Sequence, residues 1–213
     1  VKNSLLIYSG GLDSTSALYI HKHEIGMAVS FDYGSRHNEQ EIARAIINCD
    51  LLGIPHKVVK LPLDDIKSAL LGDGDIPHGH YEDESMKATV VPFRNAIMIS
   101  IATGIAESNE LDSVMLGSHK GDNAVYPDCR PDFNYYMSLT MQAGTYKRIH
   151  LLTPFEDLDK RQLAQLGIEA GMKPELTYSC YEGGEEPCNK CSTCLERGWA
   201  LGYISDEEME NIK

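Results

Sequence analysis

The chain has 213 residues, 42% of them hydrophobic and 24% charged, with 32 acidic against 19 basic side chains and a formal net charge of -13. That length buries one sizeable core, and the composition is that of a globular chain, neither disordered nor fibrous. The negative field repels phosphate backbones and no basic patch offsets it, so nucleic acid is disfavoured as a substrate, while free nucleotides stay accessible through local amides and a metal ion.

No apolar run approaches the roughly 18 to 20 residues that span a bilayer, and the opening VKNSLLIYSGG is too short in apolar residues for a signal peptide. The expectation is a cytoplasmic chain with no membrane contact.

Leu5 to Tyr8 form a short continuous apolar run that stops at Gly10-Gly11, as a strand buried on both faces does. A helix follows from Ser14, with Asp13 or Ser14 available as its N-cap. A second strand is expected at Met27 to Asp32, a helix at Asn38 to Leu52 closed by Gly53 and Pro55, and a third strand at His56 to Leu61. A short helix is expected within Pro62 to Leu71, and Gly72 to Thr89, polar and without periodicity, reads as a loop or lid. The rhythm resumes with a helix at Phe93 to Ser108, a strand at Ser113 to Leu116, a helix at Pro131 to Ala143, a strand at Ile149 to Leu152 and a helix at Asp159 to Ala170. Five strands joined by helices predict an α/β doubly wound parallel sheet occupying 1–171. Residues 172–213 are expected to pack on the same domain as a metal-binding segment, ending in an acidic tail, Ser205 to Lys213, with one exposed helix.

In such a sheet, ligands sit beyond the C-terminal strand ends where strand order reverses. Ser9-Gly10-Gly11-Leu12-Asp13-Ser14 offers two glycines for a sharp turn and close approach, two hydroxyls and a carboxylate, and the helix after it adds unpaired N–H groups that suit phosphate oxygens. By composition alone the same residues also make a plain turn and cap. The sequence has neither G-x-x-x-x-G-K-[ST] nor G-x-G-x-x-G, so neither a P-loop nor a dinucleotide fingerprint fits.

Four of six cysteines crowd the end of the chain as Cys180-x7-Cys188-x2-Cys191-x2-Cys194. The spacing matches a four-thiolate zinc site; an iron-sulfur cluster and a redox Cys-x-x-Cys are the competing readings. Four protein ligands leave no open position for water, which makes the metal structural. Cys129, beside Arg130, has the environment of a thiolate but reads as a packed or substrate-facing thiol.

Ser-Gly-Gly-Leu-Asp-Ser after the first strand resembles the PP-loop of the ATP-pyrophosphatases, whose fold is adenine nucleotide alpha hydrolase-like. With the cysteine cluster and the segments Phe31-Asp32-Tyr33-Gly34-Ser35-Arg36-His37, Val91-Pro92-Phe93-Arg94-Asn95 and Tyr126-Pro127-Asp128-Cys129-Arg130, the chain resembles the 7-cyano-7-deazaguanine synthase (QueC) family from Leu5 to about Arg197.

The resemblance implies ATP-dependent conversion of 7-carboxy-7-deazaguanine and ammonia to the nitrile preQ0 through an adenylated carboxylate and an amide. It also implies structural zinc, ATP as co-substrate with Mg²⁺, and a homodimer. Ser9, Gly10, Gly11, Leu12, Asp13, Ser14, Thr15 and Ser16 would hold ATP, with Asp32, Arg36 and His37 near the nucleotide. Asp13 is expected to help hold magnesium, Arg94 to pair with a carboxylate or phosphate, and Asn95 and Tyr126 to line the substrate pocket. Asp122 and Asp128 are candidate acceptors for the N–H edge of a guanine-like base, and Lys120 a catalytic cation. Read without the resemblance, Arg94 serves as a helix-start salt bridge, His37 as a solvated loop residue and Asp128 as a turn closer.

The chain departs from the family pattern at Phe93, where Gly is usual, and over Gly117-Ser118-His119-Lys120-Gly121-Asp122. These departures bear on substrate and product, because one mechanism yields the amide or, after a second activation, the nitrile. A PP-loop enzyme with another acceptor, such as a tRNA thiolase, and a zinc-stapled nucleotide-binding module without turnover are the alternative readings.

Overall fold

The first strand, β1 (Ser4–Ile7), alternates its buried side chains between two cores: Leu5 joins the apolar cluster on one face of the sheet and Leu6 the cluster on the other. Ala28 and Val29 in β2 (Ile25–Asp32) and Val114 and Met115 in β4 (Ser113–Met115) divide in the same way. With β3 (His56–Lys60) and β5 (His150–Leu152) these make a five-stranded sheet in the order β3-β2-β1-β4-β5. Every pairing is parallel. The computed structural model describes residues 2–63, 65–72, 75–76 and 84–212.

One face is covered by α1 (Leu12–Ile20), α2 (Asn38–Leu52) and α6 (Lys160–Glu169), which contribute Leu18, Ala45, Cys49 and Leu163 to the core. The other is covered by α3 (Arg94–Ser108) and α5 (Pro131–Gly144), with Ile99, Ala102 and Met141 buried. Cys180, Cys191 and Cys194 belong to that second core, so the C-terminal segment is packed into the domain rather than appended to it. Strand order reverses between β1 and β4, which places the crevice above the glycine turn.

Several boundaries differ from expectation. Neither Asp13 nor Ser14 caps α1: Gly11 does, in extended conformation and without a side-chain hydrogen bond, because the helix begins one residue after the turn. Among the described residues of Pro62 to Leu71, only a 3-10 turn, Ala69–Leu71, is helical. Of the lid expected at Gly72 to Thr89, residues 73–74 and 77–83 lie outside the described residues, and Glu84–Thr89 form a second 3-10 turn.

Two helices escaped the sequence reading: α4 (Asp122–Val125), a single turn, and α7 (Ser192–Ala200), which starts right after Cys191. The tail forms α8 (Asp206–Glu210), capped by Ser205 and Glu208.

Met86–Ser108 is long and apolar enough to cross a bilayer by length and composition, with a mean hydropathy of 1.4, against the expectation that no such run exists. It is interrupted at Phe93, whose φ is 59°, and α3 packs on β1 and β4 as a core helix.

α6 can lie close on α1 because Gly167 has no side chain: a Cβ there would stand 2.5 Å from Ser16 Oγ and 2.9 Å from Ser16 Cα. Gly167→Ala gains helix propensity worth about 1 kcal/mol but overpacks this contact, which costs about 1–3 kcal/mol. We expect a net loss of stability in urea unfolding; a midpoint equal to or above that of the parent chain would show that the two helices separate freely.

Candidate active site

The turn after β1 is fixed from below. Gly10 has φ +96°, and a Cβ on it would lie 2.1 Å from the Glu41 carbonyl oxygen of α2, so only glycine fits against that helix. The Gly10 carbonyl accepts from the Tyr178 N–H (3.1 Å), tying the turn to the cysteine segment. Ser14 Oγ accepts from the N–H groups of Ser9 and Gly10, both at 3.3 Å, and Ser9 Oγ accepts from the Gly11 N–H at 3.1 Å. Because Gly11 caps α1 without a side chain, the first-turn N–H groups of the helix have no side-chain acceptor from the cap and present the positive end of the helix dipole to the cavity.

The floor of the cavity is a buried charge cluster. Asp13 Oδ2 lies 3.0 Å from Lys160 Nζ and 3.8 Å from His119 Nε2, and Lys160 Nζ lies 2.7 Å from Glu196 Oε2. Burial works against the Asp13 carboxylate, but Lys160, with His119 and Arg197 behind it, outweighs burial and holds the group below its ordinary 3.8. His119 Nδ1 accepts from the Gly121 N–H at 3.0 Å, which leaves the ring proton on Nε2, 3.8 Å from both Asp13 and Asp122. Asp13 Oδ1 is buried with no hydrogen-bond partner, an oxygen suited to a hard cation.

Across the cavity, Arg94 opens α3 and donates to Tyr33 OH at 2.9 Å, its guanidinium 5.3 Å from the Tyr33 ring centre and 6.0 Å from that of Tyr126. Among the described residues no carboxylate lies within salt-bridge distance of it. Phe93, in left-handed conformation and 66% exposed, stands just before Arg94 as the N-cap of α3.

His37 and Glu41 close the side beneath α2. Burial, with help from Arg94, pushes the His37 imidazole down to about 3. Burial pushes the Glu41 carboxyl up to about 8 against the pull of Arg94.

The four cysteine sulfurs lie within 4.8 Å of one another. Cys180 Sγ accepts from the Cys188 N–H, and Cys188 Sγ from the N–H groups of Lys190 and Cys191. Convergent sulfurs that accept backbone N–H bonds fit a tetrahedral thiolate metal site. Ser179, Tyr181 and Thr193, interleaved with these cysteines, line the cavity.

The family model for queuosine biosynthesis protein QueC matches residues 3–204. The chain belongs to the QueC family. The 7-cyano-7-deazaguanine synthase of Porphyromonas gingivalis is 42% identical over 94% of this chain and 92% of its own length. That of Desulfotalea psychrophila is 42% identical over 94% of each chain. In fold, the QueC chain is similar to an NMN synthetase from Francisella tularensis, at a TM-score of 0.50 and 13% identity, covering 98% of this chain and 81% of the other. The family and the parallel α/β sheet read from the sequence are thus borne out.

Of the residues assigned to the nucleotide, Ser9, Gly11, Leu12, Asp13, Ser14 and His37 line the cavity, as do Arg94, Asn95, Asp122 and Tyr126 of the others. Gly10 shapes the turn from behind. Thr15 and Ser16 point away: Thr15 Oγ1 bonds to Tyr8 OH, and Ser16 Oγ to the Leu12 carbonyl, because one helical turn cannot aim five consecutive side chains at one place. Asp32 and Arg36 are not among the lining residues; Arg36 donates to the Gly72 carbonyl and pairs with Glu182 at 3.6 Å. Asp128 is also absent from the lining and caps α3, its Oδ2 accepting the Asn95 N–H at 2.8 Å. Lys120 is exposed, and the lysine of the cavity is Lys160.

Lys160 and Glu41 were missed because each sits in an ordinary amphipathic helix pattern; the capping box Asp159–Gln162 is the signal that puts Lys160 at a helix start. Cys129 is a packed thiol: burial, with Asp122 and Asp128, raises its pKa well above the usual value, and it accepts from Asn95 Nδ2 at 3.1 Å.

Two outcomes follow from this geometry. Stripping the metal with a chelator, or Cys191→Ser, should abolish ATP binding in calorimetry while most helical circular dichroism survives, since the cysteine segment is a wall of the cavity; undiminished ATP binding would separate the two.

For Glu41, the folded chain keeps the proton up to about 8, whereas the unfolded chain releases it near 4.5. The folded state therefore binds the excess proton between those values, and stability falls as pH rises through that window. Glu41→Gln should flatten this decline in urea unfolding followed against pH. An unchanged slope would place the titration elsewhere among the facing groups His37, Asp13, Lys160 and Arg94.

Proposed function

We infer that the chain is a 7-cyano-7-deazaguanine synthase, an ATP-dependent ligase that turns 7-carboxy-7-deazaguanine and ammonia into the nitrile. The observation that carries the reading is the placement, in one cavity of a QueC-family chain, of a half-buried arginine with no carboxylate within salt-bridge distance among the described residues, opposite a glycine turn at the head of a helix.

The glycine turn, the α1 amides and Lys160 are suited to the β and γ phosphates and to the departing pyrophosphate. Asp13, with its unpartnered Oδ1, would hold the magnesium ion that neutralises those phosphates. Arg94 is suited to orient the substrate carboxylate toward the α-phosphorus, with Tyr33 and Tyr126 packed around its guanidinium.

The carboxylate oxygen attacks the α-phosphorus and pyrophosphate leaves; ammonia then displaces AMP and gives the amide with loss of a proton. The amide oxygen then attacks a second ATP, with loss of pyrophosphate and one N–H proton, and loss of AMP with the remaining N–H proton gives the nitrile. Glu41 lines the same cavity with its carboxyl pushed up to about 8, so near neutral pH it stands there protonated, a neutral hydrogen-bond donor that does not repel the incoming anions.

Zinc is the metal we assign to the four thiolates, with a structural role, residues 172–213 being its segment on the 1–171 domain. A cytoplasmic homodimer completes the reading; Tyr135 and Tyr136, 62% and 66% exposed on α5, offer it an apolar face.

Incubation with the deazaguanine acid, ATP, magnesium and ammonium should yield nitrile and AMP by mass spectrometry. Amide alone would mean that the second activation is lost, and neither product would refute the reading. Arg94→Met should raise KM for the acid about tenfold or more, the scale of a lost charge-assisted pair, with a smaller effect on ATP binding.

A further inference from the structure

Glu196 does not line the cavity, yet it makes a close ion pair to it: its Oε2 is 2.7 Å from Lys160 Nζ, with the two side chains 9% and 6% exposed. It stands on α7, two residues after Cys194 and five after Cys191, so the cysteine segment reaches into the phosphate floor through this carboxylate. Lys160 Nζ also lies 3.0 Å from Asp13 Oδ2, and the other oxygen of Asp13 has no partner. Two carboxylates therefore share one ammonium.

A lysine held by Asp13 alone would lose its fixed protein partner, and with it its direction toward the phosphates, when Asp13 turns to the cation of MgATP. A second carboxylate prevents that loss. Lys160 keeps its partner and its direction when Asp13 turns to the cation, and the extra negative charge favours a divalent ion. His119, its Nε2 proton facing Asp13 and Asp122, adds a neutral donor on the same side.

We propose that Glu196 is a positioning residue of the nucleotide site, anchoring Lys160 from the cysteine helix so that Asp13 is released to the cation of MgATP. This deepens the reading of the cavity as an ATP site and rests on it.

The test is calorimetry of ATP with magnesium on the full, zinc-loaded chain, in a cycle of the parent, Glu196→Gln, Lys160→Met and the double variant. Glu196→Gln should weaken MgATP binding about tenfold, the scale of one charged hydrogen bond, and raise the magnesium needed at fixed ATP. On the Lys160→Met background the same change should do nothing further, because its effect passes through the lysine.

Equal losses on both backgrounds, or no loss on the parent background, would overturn the proposal. A parent chain that binds no ATP would instead sink the ATP reading beneath it. Zinc content and melting are recorded for each variant, and Glu196→Met, similar in volume and uncharged, should repeat the pattern. If neither Glu196 variant loads zinc or folds, the residue is structural and the proposal fails.

Discussion

The interaction on which the structure turns is the buried contact between the Lys160 ammonium and the carboxylates of Asp13 and Glu196. Taking three charges out of water costs several kcal/mol per ion, and apolar residues of similar size would pack there with less penalty. A cluster of this kind is therefore poor evidence for stability and good evidence for position. It fixes the relative placement of three helices that are remote in sequence: α1 carries Asp13, α6 carries Lys160 and α7 carries Glu196.

That placement matters because the sheet only brings the pieces near one another. The reversal between β1 and β4 opens a crevice, and Gly117 narrows it: a Cβ at Gly117 would stand 3.2 Å from Ser14 Cα. The Gly10 turn is pressed against α2 on one side and bonded to Tyr178 on the other. Two of those supports come from outside the β1-α1 unit. The glycine turn of this chain is thus a tertiary object, and the cysteine segment is one of the walls of its cavity.

The difference between what was and was not legible in the sequence follows from this. The glycine turn and the strands around it were readable because their constraints are local: an apolar run, two adjacent glycines and a helix start. The cysteine cluster was readable because thiolate spacing is itself a geometric constraint. Residues that act through tertiary contacts were not. Lys120 lies in a motif-like stretch and is exposed, whereas Lys160 lies in a helix of ordinary pattern and is buried in the cavity wall. The side chains of Thr15 and Ser16 do not line the cavity, because the helical period of α1 turns them toward Tyr8 and α6. Asp128 took the bland role, a cap on α3, that its position after Pro127 allowed.

The two halves of the cavity carry opposite imbalances of charge. On the glycine side, Asp13 and Glu196 share the Lys160 ammonium; on the other, Arg94 lies against the rings of Tyr33 and Tyr126 and near Glu41, which burial keeps protonated to about 8. An acidic chain that must bind two anions, a triphosphate and a carboxylate, cannot rely on its overall field, which repels both. It has to supply cation locally and differently for each. A metal-ion partner suits the half rich in carboxylate, since the ion brings the positive charge with the triphosphate. A fixed guanidinium suits the half that receives a bare carboxylate, where planar, two-pronged pairing also sets the direction of attack. The asymmetry of charge between the two halves matches the unequal chemistry of the two anions.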